Sequence, residues 1–241
     1  MAYDPNFTEQ FFINRHDADF MGRLKPGSLL RFAQQLATDQ NTKLGFTNDF
    51  YVEHQLAYLL ARQTLVFSRV PVIDETLTMT TVPEQSKHAV NKRLTLVNDE
   101  QGNEVACVDS RWVLVDAATR HILRHGSPLL EPHWNADVAR TLDQTIPKAQ
   151  TTAALAPRHA DYLLCDLNGH INNCAYADLA CASVPLDTVR QAPIRRLSIV
   201  YHREVPLGEM LSLASGTAEN GWYTVGTKAG GDAAFEAWCC V

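Results

Sequence analysis

Arg62-Gln-Thr-Leu-Val-Phe-Ser-Arg69 and Arg196-Leu-Ser-Ile-Val-Tyr-His-Arg203 are one stretch written twice, 134 residues apart. Arg62 matches Arg196, Thr64 matches Ser198, Leu65 matches Ile199, Val66 matches Val200, Phe67 matches Tyr201 and Arg69 matches Arg203. Both copies are rich in β-branched and aromatic residues, which suit a pleated, half-buried surface, so both read as strands. A chain that repeats itself has to be read repeat first, because the repeat sets the architecture.

A second echo lies upstream. Asp19-Phe-Met-Gly22-Arg-Leu24 matches Asp166-Leu-Asn-Gly169-His-Ile171 at an offset of 147. A helix follows each. The first is expected over about Pro26 to Leu44, with Leu29, Leu30, Phe32, Ala33, Leu36 and Ala37 on one face. The second is expected over about Asn172 to Ala182, with Ala175, Tyr176, Leu179 and Ala180. Pro26 and Asn172 or Asn173 suit helix starts. The two offsets differ by 13, so the first copy carries an insertion, and Thr47 to His54 is a natural place for it. Strands are expected at Tyr58–Val70, Thr76–Pro83, Ala89–Asn98 and Glu104–Asp116, then at Pro193–Arg203, Met210–Ala218, Trp222–Lys228 and Ala233–Val241. Asn98 to Gly102 supplies turn chemistry, and Asn220-Gly221 a hairpin turn. Leu123 to Ala156, with Pro128, Pro132 and Pro147 and little periodicity, reads as a linker. One strand, one helix and four strands, twice over, is an α+β fold in which each antiparallel sheet wraps a central helix.

Composition narrows the function. The 241 residues suit two small units, and 46% hydrophobic with 20% charged residues is ordinary globular composition. No apolar run approaches the ~20 residues of a membrane span, and residues 1–10 lack a secretory pattern, so a cytoplasmic protein is expected. The six cysteines form no CxxC pair, and the nine histidines show no HExxH or finger spacing, so neither metal nor cofactor is expected. A net charge of -6 argues against a general nucleic-acid binder.

The chemistry gathers in Asp166-Leu-Asn168-Gly-His170-Ile-Asn172-Asn173, a carboxylate, three carboxamides and an imidazole ahead of an apolar helix. His170 can act as acid or base near neutral pH. Asn168 and helix-start amides can donate to a developing oxyanion. Asp166 can orient a neighbour. The same residues also suit an Asx-rich turn that merely caps a helix. The first copy has Arg23 where His170 stands, so the scaffold repeats and the chemistry does not. Glu204 closes the second repeated strand where the first copy has Val70, and it is either a salt-bridge partner of the neighbouring charges or the carboxylate that reaches the helix start. No GxSxG elbow is present, and Cys165 and Cys174 have no visible activating arrangement, so water is the simplest nucleophile.

These residues resemble the acyl-ACP thioesterase family of fatty-acid synthesis. The carrying motif is Asp166-x-Asn168-x-His170-x-Asn172-Asn173-x-x-Tyr176, followed by Tyr201-x-Arg203-Glu204, with Phe12-x-x-Arg15 leading into Gly22 similar to the family's opening. The resemblance runs from about Phe7 to Lys228. It implies two tandem hotdog units, at 1–125 and 157–241 with a linker at 126–156, the second catalytic and the first supplying the acyl pocket. It implies a thioester hydrolase whose site residues are Asp166, Asn168, His170 and Glu204, with no cofactor or metal. Some readings of the family place a cysteine after the glutamate; here Val205 stands there, which favours attack by water. The implied partner is acyl carrier protein bearing a phosphopantetheine-linked chain, with no nucleic acid and no membrane, the enzyme being a monomer or homodimer. That carrier is itself acidic, so docking on this acidic chain needs a local basic patch, for which Arg15, Arg23, Lys25, Arg31, Arg195 and Arg196 are candidates. The competing readings are an acyl-coenzyme A thioesterase, a hydratase on a similar scaffold, and a non-catalytic acyl-binding protein.

Overall fold

The computed structural model describes residues 4–241. The first half of the chain holds β1 (Phe7–Phe12), α1 (Pro26–Lys43), α2 (Asn48–Glu53), β2 (Leu56–Phe67), β3 (Thr76–Pro83), β4 (Asn91–Asn98) and β5 (Glu104–Asp116). The second half holds β6 (Ala153–His159), α3 (Asn173–Ala182), α4 (Leu186–Gln191), β7 (Arg196–Tyr201), β8 (Met210–Ala218), β9 (Gly221–Lys228) and β10 (Ala233–Cys240).

Local pattern accounts for the elements. β3 alternates half-buried and buried along its whole length, as a strand with one face on a core must. α1 opens on Pro26, whose missing N–H is no loss in a first turn, and buries Leu29, Leu30, Ala33, Leu36 and Gln40 at helical spacing. α3 opens on Asn172, whose side chain accepts from the Cys174 N–H, and buries most of its length: Cys174, Ala175, Tyr176, Ala177, Leu179 and Ala180.

All ten strands join one antiparallel sheet in the order β1-β3-β4-β5-β2-β7-β10-β9-β8-β6. Each half therefore lays down its five strands in the same order, and the halves meet at their second strands, β2 and β7. At that seam Thr64 pairs with Ser198, Arg62 with Val200 and Val66 with Arg196. Thr64 and Ser198 are repeat counterparts, and the flanking pairs swap around them, so the seam is symmetric about that pair. α1 and α3 pack against each other, α1 on β1 and β3, α3 on β10. One apolar cluster runs through both halves, from Ile13 and Leu29 to Phe235 and Cys239. This is an α+β architecture: one large antiparallel sheet with few helices.

The expected helices and strands fall in place with small shifts at their ends. Three features differ. The inserted length sits chiefly in α1, which has 18 residues against 10 in α3, while α2, inside Thr47–His54, has a six-residue counterpart in α4 that the sequence pattern did not reveal. β6 begins at Ala153, inside the stretch read as linker, and its residues are all exposed, so no alternation marks it as a strand. The rest of that stretch is pinned to the sheet. Fully buried Asp109 accepts from the Leu142 N–H at 2.9 Å, Glu84 accepts from the Val138 N–H at 2.7 Å, and Arg140 pairs with Glu104.

Candidate functional site

The turn before α3 is built by its own side chains. Asp166 Oδ1 accepts from the Asn168 N–H at 2.9 Å, and Asp166 Oδ2 accepts from Asn172 Nδ2 at 2.9 Å. Asn172 in turn caps α3 through the Cys174 N–H at 2.8 Å. Gly169 has φ of 74°, a left-handed conformation that glycine adopts without Cβ strain, and this closes the turn so that His170 bridges Pro206. Ile171 N donates to Val205 O at 3.0 Å, and Leu207 N to Gly169 O at 2.9 Å. The segment carrying Glu204 is thus hydrogen-bonded to the turn carrying His170.

That pairing places His170 Nε2 3.9 Å from Glu204 Oε1. His170 Nδ1 lies 3.1 Å from Ile171 O, which favours the tautomer that donates from Nδ1 and leaves Nε2 as an acceptor. The His170 side chain is mostly enclosed, whereas the Glu204 carboxylate is 41% exposed. Asn168 is exposed at the tip of the turn, and its carboxamide makes no protein hydrogen bond among the described residues. Of the α3 first-turn amides, the Cys174 N–H is held by the Asn172 cap and the Ala175 N–H by Asn172 O, leaving Asn173 N–H unpartnered among the described residues.

The four expected residues therefore lie on two adjoining segments. His170 and Glu204 approach directly, Asp166 holds the turn in shape, and Asn168 stands beside them in sequence with its side chain free. Arg120 was not legible in the sequence: it crosses from the first half and sets both its terminal nitrogens 3.3 Å from the two Glu204 oxygens. Lys228 Nζ also donates to Glu204 O at 3.0 Å.

The first half has the same turn with different chemistry. Asp19 Oδ1 accepts from the Met21 N–H at 2.8 Å, Gly22 has φ of 75°, and Arg23 bridges Val72 as His170 bridges Pro206. There Arg23 Nε turns back onto Asp19 Oδ2 at 2.9 Å and Arg23 Nη2 donates to Val189 O at 2.5 Å, so the turn closes on its own ion pair. Val70 in place of Glu204 removes the facing carboxylate.

The cysteines at the turn are poor nucleophiles. Burial pushes the Cys174 thiol up to about 12, and burial also raises Cys165. Val205, fully buried, offers no reactive group beside Glu204.

A cavity of about 190 Å³ lies between α1 and the sheet of the first half. One of its lining residues touches the first turn of α3, Gln34 Oε1 lying 3.2 Å from Cys174 Sγ; another, Gln63, reaches it only through Tyr201 at the end of β7, with Gln63 Oε1 3.4 Å from the Tyr201 hydroxyl and that hydroxyl 3.2 Å from Asn173 O. Of the candidate docking cations, Arg23, Arg31 and Arg196 are engaged with Asp19, Asp178 and Asp143. Arg15, Lys25 and Arg195 have no ion-pair partner among the described residues.

Two family models cover most of the chain, the acyl-ACP thioesterase N-terminal domain over residues 4–131 and the acyl-ACP thioesterase C-terminal domain over residues 145–229. They define the class: a thioester hydrolase. More particularly, the chain belongs to the acyl-ACP thioesterase family, whose reaction is the hydrolysis of fatty acyl-acyl carrier protein. Oleoyl-acyl carrier protein thioesterase 1, chloroplastic, of Arabidopsis thaliana is 21% identical over 95% of this chain and 70% of its own length. The palmitoyl-acyl carrier protein thioesterase of Gossypium hirsutum is 22% identical over 82% of this chain, which spans about half (52%) of that relative. In fold, an acyl-ACP thioesterase from Bacteroides thetaiotaomicron VPI-5482 superposes with a TM-score of 0.86 at 22% identity over 98% of this chain and 97% of its own. The 12:0-ACP thioesterase from Umbellularia californica superposes with a TM-score of 0.82 at 18% identity over 100% of this chain and 98% of its own.

Proposed function

We propose that this chain releases free fatty acid from acyl carrier protein by water attack at the turn before α3, with Glu204 as general base. The observation that carries the assignment is the approach of Glu204 Oε1 to within 3.9 Å of His170 Nε2 at that helix start. This is beyond hydrogen-bond length, as catalytic contacts often are before substrate binds.

Glu204 takes a proton from water as the water oxygen bonds to the thioester carbon. The carbonyl oxygen becomes an oxyanion, which in this reading accepts from the Asn168 carboxamide and the Asn173 N–H. Collapse breaks the carbon–sulfur bond, and the proton on Glu204 passes, with His170 orienting or sharing it, to the departing phosphopantetheine thiolate. Asp166 keeps the turn in register through Asn168 N–H and Asn172. Arg120 steadies the Glu204 carboxylate from the other half of the chain.

In this reading the two halves are tandem hotdog units, at 1–125 and 157–241, joined by 126–156. The shared strand order and the symmetric seam support that division. The first unit holds the acyl chain in its cavity, and the second performs the chemistry. Carrier docking draws on Arg15, Lys25 and Arg195. Cytoplasmic location and a monomeric or homodimeric state complete the proposal. Among the described residues no helix is long and apolar enough to cross a membrane.

The test is free-thiol release from matched acyl-ACP and acyl-coenzyme A over a range of chain lengths. Faster turnover of the acyl-ACP series, with a Michaelis constant that rises with salt, is the expected result. Equal or faster turnover of acyl-coenzyme A transfers the reading to that carrier. Intact thioester with tight binding makes the chain an acyl-binding protein instead.

A further inference from the structure

The cavity is lined for something other than a plain hydrocarbon. Cross-strand pairing sets Gln63 against Ser110 and Ser110 against Arg93, so these three point to one face across β2, β5 and β4. From Gln63, which faces the Tyr201 hydroxyl, the row reaches Arg93 after two strand spacings, roughly 10 Å. Arg93 bonds to Gln40 and, at 2.8 Å, to Thr81 Oγ1, and lies 5.4 Å from the Trp134 ring centre. Among the described residues no carboxylate pairs with it. A second row sets Leu60 against Trp112 and Trp112 against Asn91. Trp112 Nε1, Asn91 Oδ1 and Asn41 Oδ1 are buried without a hydrogen-bond partner, and all three residues line this cavity. Buried polar atoms are ordinarily satisfied, so a group of orphans around one cavity points to a missing polar partner. The other charges there are spoken for: Glu84 and Lys92 pair with each other at 3.2 Å, and Lys92 also donates to the Val138 and Arg140 carbonyls.

Resting on the proposed function, we propose that the preferred acyl chain carries an oxygen function, hydroxyl or carboxylate, remote from the thioester, which docks among Arg93, Trp112, Asn91 and Asn41. A methylene chain would cover these groups and leave them unpaired. An oxygen-bearing end would accept from Arg93 and Trp112, and a hydroxyl would also donate to an Asn carbonyl. The volume of about 190 Å³ is below the ~300 Å³ at which drug-sized sites begin, so the chain it takes is a short one.

The experiment measures thiol release by the full chain from octanoyl-ACP, its ω-hydroxy analogue and its ω-carboxy analogue. The wild type is expected to show a kcat/KM at least about tenfold higher for one of the oxygenated arms than for octanoyl-ACP. Which arm leads identifies the group. Trp112→Phe, which removes the indole N–H together with part of the ring, and Arg93→Met are expected to reduce that advantage. Should Arg93→Met fail to fold by circular dichroism, Trp112→Phe and Asn91→Leu decide the matter. Preference for plain octanoyl-ACP, or an advantage that survives the variants, overturns the substrate assignment and leaves the hydrolase reading standing. If no thioester is cleaved at all, the hydrolase reading falls, and the thermal shift given by ω-hydroxyoctanoate and octanedioate against octanoate still decides what the cavity takes. A larger shift with octanoate overturns the assignment.

Discussion

Thr64 Oγ1 donates to Ser198 Oγ across 3.1 Å of buried sheet, and the two residues are each other's counterparts in the repeat. They mark the point about which the seam is symmetric. Neither hydroxyl reaches water, so each depends on its counterpart. Thr64→Val or Ser198→Ala alone strands a buried hydroxyl and should cost about 1–3 kcal/mol. The double variant removes both polar groups and should cost less than the sum of the singles. Urea denaturation of the four proteins checks this, with additive costs as the contrary result.

Gly216 on β8 lies under the connector between the halves. A Cβ there would sit 2.1 Å from Thr151 O and 3.0 Å from the Ala149 Cβ. Backbone cannot swing aside as a side chain can, so Gly216→Ala must lift residues 149–151 from the sheet. The expected cost is about 1–3 kcal/mol, with faster proteolysis confined to the connector. Limited proteolysis with mass mapping reads the site of cutting, and an unchanged cleavage pattern would count against the docking.

Glu236 contributes to the loss of stability in acid. Burial pushes its carboxyl up, but hydrogen bonds from Lys148, Tyr223 and His202 outweigh burial and hold it at about 2, against 4.5 for an unperturbed glutamate. The folded value lies below the unfolded one, so the ionised form favours the fold. That contribution is present above pH 4.5 and is lost as pH falls toward about 2. It amounts to at most about 3 kcal/mol. Glu236→Gln should lower stability near neutrality and flatten its fall through that window, as followed by denaturation at stepped pH. A wild-type slope in the variant would contradict the assignment.

Arg120 reaches Glu204 from a left-handed backbone, φ 60°, that favours glycine. Arg120→Gly relieves that conformation and removes an exposed ion pair, so stability should change by less than about 1 kcal/mol. Turnover should fall by up to about tenfold as Glu204 loses its support. Paired melting and thiol-release assays separate the effects: a loss of stability in step with turnover would make Arg120 merely structural.

The sequence carried the scaffold because the scaffold is written in periodic patterns. The strand pair around Thr64 and Ser198, the alternation of β3 and the capped helix at Asn172 are local signals, and each led to its element. β6 has no buried face, so alternation could not mark it. α4 is too short for a helical stripe to stand out. In the candidate site, Asp166, Asn168 and His170 share one turn and so stand out together in the sequence, and Glu204 stands out because it breaks the match with Val70. Arg120, 84 residues from Glu204, meets it only through folding. The polar lining of the cavity was hidden for the same reason: Asn41, Asn91 and Trp112 lie on different elements, and no spacing links them.

In the proposed mechanism Glu204, beside His170, takes the proton from the attacking water. The most direct measurement is single-turnover thiol release from acyl-ACP by wild type and by Glu204→Gln, with folding confirmed by circular dichroism. The variant is expected to bind substrate yet lose roughly a hundred- to ten-thousand-fold in rate. A folded Glu204→Gln that releases thiol at near-wild-type speed would contradict it.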